Sequence, residues 1–290
     1  MSARPWSKPP RTASWPVLGV ALAALLGVAA PGGATPSRAQ AATLPVVNME
    51  ATVKAAQIDP RRADDTLTQG AKASVLAVEN ALHAEHLLDA QWVDGYFGSK
   101  TVEAYAAYQA SLGYHGLDAN GLPGATSLTS LGKGRFSVTH LIGPGSEVPM
   151  DGYVVDTRTR SMLLEAERRL GRNLVLDQGS YNPGGDPTSA GTHDGGGVVD
   201  ISVAGMTAST RTQVARALRE VGFAAWVRNP TQGDWPWHIH AVAISDTDLS
   251  SQAQHQAGDY YLGLNGLANH AADDGPSVVI HTWEEYQRLS

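Results

Sequence analysis

Ser189-Ala190-Gly191-Thr192-His193-Asp194-Gly195-Gly196-Gly197-Val198-Val199-Asp200-Ile201-Ser202-Val203 is the stretch on which the reading of this 290-residue chain turns. Its second half, Val198 to Val203, is an apolar run of strand length that carries one carboxylate, Asp200. A carboxylate inside such a strand is buried, and a buried charge needs a partner or a metal. Three glycines between His193 and Asp200 let the backbone turn sharply and bring the imidazole back toward the acid. Some forty residues on, Trp237-His238-Ile239-His240 places two histidines two apart, so an extended strand sends both to the same face. Imidazole and carboxylate donors in this set suit zinc, one ion per chain, with a position left for water. The alternative is purely structural: a buried His–Asp pair, or an Asx-type turn on Asp194 and Asp200 in a loop rich in Gly and Ser.

The length admits two modest domains after a leader, and 42% hydrophobic residues are enough to bury a core. Arg4, Lys8 and Arg11 precede an uncharged apolar run, Val17 to Ala30, and Ala39-Gln40-Ala41 is an A-x-A site. This predicts a signal peptide over residues 1–41, hence a secreted protein. The apolar run is shorter than the ~20 residues of a membrane span, and no later segment is expected to cross a bilayer. Four of the 21 basic residues and none of the 28 acidic ones lie in that leader, so the remainder is more acidic than the whole-chain net charge of −7. A nucleic-acid partner, which needs a basic face, is excluded on that balance. With no cysteine, disulfides, thiolate metal ligands and a cysteine nucleophile are excluded as well.

Along the chain, residues 42–70 read as a linker. Residues 71–131 read as a helical unit: Val75, Val78 and Leu82 recur at helical spacing, Ser99 is the expected N-cap of a second helix, and a third runs from Ala125 to Leu131. Residues 132–150 read as a second linker. Residues 151–290 then give a helix from Thr157 to Leu170 stopped by Gly171, a strand at Leu174-Val175-Leu176, and the Asp200 strand. A helix from Thr210 to Val221 and strands at Phe223 to Val227 and His238 to Ile244 follow. This order predicts an α+β fold with helices on one face of a small antiparallel sheet, beside a small all-α domain. The tail from Asp246 reads as irregular until a closing helix capped by Thr282.

The helical unit resembles the three-helix peptidoglycan-binding domain of secreted cell-wall hydrolases. The match lies in Val93-Asp94-Gly95-x-Phe97-Gly98-x-x-Thr101, with a second half at Asn120-Gly121-x-x-Gly124-x-Thr126-x-Leu128. The resemblance implies adhesion to peptidoglycan and a cell-wall location. Phe97, Val93 and Tyr105 are expected in the core of that unit, and Trp92 and Tyr96 are the candidates for contact with the wall.

The C-terminal half resembles the zinc D-alanyl-D-alanine carboxypeptidases and dipeptidases, a family that includes phage endolysins. Ser189, His193 and Asp200 fit its S-x-x-x-H pattern with Asp seven residues on, and the late H-x-H strand fits His238 and His240. The resemblance implies His193, Asp200 and His240 as zinc ligands, with His238 beside the metal, and hydrolysis of peptide bonds in peptidoglycan stem peptides. Two positions depart from the pattern. The general base, three residues before the last ligand, is replaced by Trp237, so Asp234 is the candidate base if Pro236 bends the chain, with Asp194 and His238 behind it. The Arg of the family's S-G-Y-R is replaced by Tyr181 in Gln178-Gly179-Ser180-Tyr181, which leaves Gln178, Tyr181 and Ser189 as candidate substrate contacts. The rival reading is a cell-wall-binding protein whose peptidase-like domain has lost its chemistry.

Overall fold

The computed structural model describes residues 43–290; the expected leader lies outside them. Residues 43–290 pack as one unit.

The segment expected to be a linker is built into the fold. It opens with strand β1 (Val46–Asn48) and helix α1 (Met49–Ile58), capped by the Asn48 side chain, which accepts from the Ala51 N–H at 3.2 Å. Met49, Val53, Ala55, Ala56 and Ile58 are buried. Thr52, Ala55, Ala56 and Gln57 interrupt the larger apolar residues on its buried face, and that is why periodicity passed it over.

Helices α2 (Lys72–Ala84), α3 (Ser99–Ser111) and α4 (Ala125–Leu131) form the helical half. The N-cap of α3 is Gly98 rather than Ser99. The motif between α2 and α3 is closed by two buried acids. Glu79 accepts from the Asp94 and Gly95 N–H groups and from Thr101 Oγ1, at 3.1, 2.8 and 3.0 Å, while Asp59 accepts from the Phe97 N–H at 3.0 Å. Gly95 is required there: its φ is +88°, and a Cβ would stand 2.8 Å from Lys72 Cγ. Phe97 and Tyr105 are buried and Val93 is partly buried against the same core, as expected. Trp92 is exposed, whereas the Tyr96 hydroxyl is donated to the Asp59 carbonyl and ties the loop to the end of α1.

Residues 132–150, the second expected linker, also carry regular structure. Strand β2 (Ser137–Thr139) pairs parallel with β1, and β3 (Glu147–Met150) forms a hairpin with β4 (Tyr153–Asp156). Helix α5 (Thr157–Leu170) matches the expected span and ends at Gly171, φ +62°. Strands β5 (Leu176–Gln178), β6 (Val198–Ser202), β7 (Phe223–Arg228) and β8 (His238–Ala243) form an antiparallel sheet in the order β5-β6-β8-β7, with α6 (Ala208–Glu220) leading into β7. The general class is therefore α+β as expected. β5 lies two residues later than expected, which moves Gln178 from a loop into the sheet.

Alternation along the strands divides the sheet between two cores. Val199, Ile201, Ile239, Ala241, Phe223 and Ala225 pack under α5 and α6. Val198, Val242, Ala224 and Trp226 face the other way and join the core of the helical half. That face is covered by α7 (Ser251–Tyr261), inside the tail expected to be irregular. Gly258 lets α7 approach α1: a Cβ there would fall 2.2 Å from the Gln57 carbonyl oxygen. Beyond α7, Asp273 grips Arg219 with two contacts of 2.7 Å and accepts from Trp226 Nε1 at 2.9 Å, fastening the tail to β7. Helix α8 (Trp283–Leu289) closes the chain with a capping box between Thr282 and Glu285.

Candidate metal centre

Strand register assembles the centre. Gln178, Asp200, His240 and Trp226 stand opposite one another across β5, β6, β8 and β7. Two residues along, Ser202, His238 and Arg228 form the next row on the same face. His193 joins them from the glycine turn. That turn needs glycine for space: a Cβ on Gly195 would be 2.2 Å from the Asp248 carbonyl oxygen, backbone against backbone.

Asp200 Oδ1 is the focus. His240 Nδ1 lies 2.8 Å from it, His193 Nε2 3.4 Å and His238 Nε2 3.7 Å. The far nitrogen of each ring is engaged by an acceptor. His193 Nδ1 is 2.8 Å from the Gly179 carbonyl and His238 Nδ1 is 2.8 Å from the Pro236 carbonyl, oxygens that can only accept. His240 Nε2 is 2.8 Å from Gln256 Oε1, and Gln256 donates its own Nε2 to the Gly266 carbonyl at 3.2 Å, which fixes its amide orientation. In the neutral imidazole each far nitrogen therefore carries the proton and each near nitrogen is bare. Three lone pairs converge on a carboxylate oxygen with no proton among them.

Such an arrangement is repulsive until a cation enters. Burial weighs against ionisation of Asp200, and only when His193 and His240 carry a second proton and donate to it is its carboxyl held well below the usual range. Burial depresses the basicity of His240, against the pull of Asp200, and so favours the neutral ring that a metal requires. His193 Nε2 is buried with no hydrogen-bond partner. Ligand atoms of His193, Asp200 and His240 lie within 4.8 Å of one another, so this buried group could hold a metal ion. The carbonyls of Gly179 and Pro236 and the Gln256 amide orient the rings from behind, as outer partners of metal-bound histidines do. Trp226 stacks beneath His240, with ring centroids 6.5 Å apart and planes 19° from parallel.

The centre opens into a cavity of about 530 Å³. Gln178 and Ser189, two of the candidate substrate contacts, line it. Tyr181 does not: its hydroxyl is donated to Asp248 Oδ2 at 3.0 Å, and its ring backs the glycine turn at Gly196. Asp234 is exposed on the β7–β8 loop and is not among the lining residues, and Asp194 accepts from the Gly184 N–H outside the cavity. The wall instead holds Asp177, Asp186, Trp235, Arg228 and Gln256, none singled out from sequence. For Arg228 a signal existed: it sits two positions after Trp226 in β7, on the face that β8 gives to His238. Comparison of the chain with protein-family models, with curated proteins and with solved structures finds no match.

Proposed function

We propose that this chain is a secreted zinc peptidase that hydrolyses peptide bonds in the stem peptides of peptidoglycan. The observation that carries the reading is the convergence of bare imidazole nitrogens on Asp200 at the wall of an open cavity. His193, Asp200 and His240 would hold the ion, a His₂-carboxylate set with room for water, as in catalytic rather than closed structural zinc sites. When bound, zinc lowers the pKa of a coordinated water and polarises a carbonyl.

The chain's own residues supply the rest. His238 replaces Asp234 as the proposed proton acceptor, because its Nε2 is bare, faces the centre and lines the cavity, while the Pro236 carbonyl fixes the ring. Having taken the proton, the same nitrogen becomes a donor beside the reacting carbonyl. The expected leader and the resemblance of the helical half to wall-binding domains support the substrate class. Among the described residues, no helix is long and apolar enough to cross a membrane.

Zymography on purified cell wall tests the proposal. Clearing that a chelator abolishes and zinc restores is the expected result. Adhesion to the wall without clearing would overturn the catalytic reading and leave a wall-binding protein.

A further inference from the structure

The loop behind the glycine turn, Ser245 to Asp248, is built around a buried acid on a strained hinge. Ser245 is a non-glycine residue at φ +63°, a conformation that favours glycine. Its N–H donates to Gln57 Oε1 of α1 at 3.0 Å, which holds the hinge in place. Asp246 follows and is fully buried. Its Oδ1 accepts from the Asp248 N–H at 2.9 Å, while its Oδ2 has no hydrogen-bond partner. Arg158 Nη1 stands 3.9 Å from that oxygen, but the guanidinium is already committed to Glu284 of α8, at 2.8 and 2.9 Å, and to the Ile244 carbonyl at 3.0 Å. The other titratable groups at this place are Asp156 at the start of α5, Asp248 in the same loop, Tyr181 beneath the turn and Tyr261 of α7. None of them brings Asp246 a positive charge. Burial, reinforced by Asp156 and opposed by Arg158, raises the Asp246 carboxyl well above the usual range.

This loop is also what the glycine turn rests on. The Asp248 carbonyl accepts from the Gly196 N–H at 2.9 Å, and Asp248 Oδ2 accepts from the Tyr181 hydroxyl at 3.0 Å. Asp156 Oδ2 accepts from the Gly197 N–H at 3.1 Å. Asp246 itself packs on the turn: a Cβ on Gly197 would stand 2.9 Å from Asp246 Cβ. We propose that Asp246 is a proton-operated latch on the turn that delivers His193. Neutral, it lets the loop close under the turn and hold His193 in the metal group. Ionised, it carries its carboxylate to water about the Ser245 hinge, and the turn lets go. An anion beside Asp156 with no donor of its own is not accommodated in the buried position, so loss of the proton and opening of the loop are one event. The metal grip therefore loosens as pH rises through the titration of Asp246. That sign is opposite to the titration of the histidine ligands, which must lose protons to bind. The latch rests on the metal centre and not on which bond, if any, is cut.

The test uses the full chain and zinc alone. Zinc affinity is measured by competition with a chromogenic chelator from about pH 5 to 10, where the histidine ligands have first to lose their protons. Short-pulse hydrogen exchange of the peptide carrying Gly195 to Gly197 is followed over the same range in the zinc-free chain. Affinity is expected to rise at first and then to fall by about tenfold per pH unit, because one proton is taken up with each zinc. Asp246→Asn stays neutral and keeps the acceptor for the Asp248 N–H, so it should lose the falling limb. In the unaltered chain, protection of the turn, corrected for the intrinsic pH dependence of exchange, should disappear along that limb; this readout needs no variant that folds. Falling limbs of equal slope in the two chains overturn the inference, as does an affinity that never falls or turn protection that persists throughout. If the chain takes up no zinc, the metal-centre reading falls and the exchange measurement alone decides the latch. Because neither readout is hydrolysis, failure of the peptidase reading leaves the latch standing.

Discussion

Asp200 and His240 face each other across β6 and β8, with Asp200 Oδ1 2.8 Å from His240 Nδ1, although forty residues separate them in the chain. Because His240 Nε2–H donates to Gln256 Oε1, the neutral ring presents a lone pair to a carboxylate, and a cation between them turns repulsion into ligation.

Removing one arm of the grip should therefore remove the metal. His193→Ala is expected to abolish both bound zinc and hydrolysis of cell wall, since two ligands cannot replace a set of three. Metal analysis of the purified variant beside the unaltered chain checks this. Full activity in a metal-free variant would sink the mechanism.

His238 and His240 should separate cleanly. His238→Ala is expected to keep near-stoichiometric zinc while activity falls about 100- to 10,000-fold, the usual worth of a positioned acid–base group. His240→Ala should lose the zinc itself. If the zinc follows His238 instead, the ligand assignment reverses.

Gly195→Ala should act at a distance. Its Cβ would meet the Asp248 carbonyl at 2.2 Å, and neither backbone can yield without moving the turn that delivers His193. A loss of about 1–3 kcal/mol in chemical denaturation, with weaker zinc retention, is expected. An unchanged denaturation midpoint would show that the turn is more compliant than its packing implies.

Glu79 gives the helical half a pH signature. Burial raises its carboxyl to about 7, against the hydrogen bonds from Gly95, Thr101 and Asp94. Between pH 4.5, its ordinary value, and about 7 the folded chain holds a proton that the unfolded chain releases. Stability from this group therefore falls as pH rises through that window and levels off above it, by on the order of 3 kcal/mol. Glu79→Gln, whose amide oxygen still accepts from the Asp94 and Gly95 N–H groups, should flatten that slope. Urea midpoints of the two chains compared from pH 4 to 8 decide it, and parallel curves would refute the assignment.

Legibility from sequence followed signal strength. Helix α5 was readable end to end, because Met162, Leu163 and Ala166 lie on one face and Gly171 stops it. The metal group was readable from the His193–Asp200 spacing and the His238–His240 doublet. Helices α1 and α7 were not. Their buried faces mix apolar residues with Thr52, Gln57, Gln254, Gly258 and Asp259, and such residues reveal a packed surface only when the partner helix is present. The placement of Asp234 was not legible for a related reason. Asp234 is near the doublet in sequence, but the loop leaves it exposed while Pro236 and Trp235 turn inward to the cavity.

The sequence by itself determined the residue types, the alternation that puts His238 and His240 on one face, and the glycines that permit the turn. Those are local properties, set by covalent geometry and the two-residue period of a strand. Only the tertiary structure decided which nitrogen of each imidazole faces Asp200 and that Arg228 stands opposite His238 in the sheet. Both depend on which carbonyl, amide or carboxylate the fold brings to within hydrogen-bond reach, and strand register and helix docking set those distances across tens of residues.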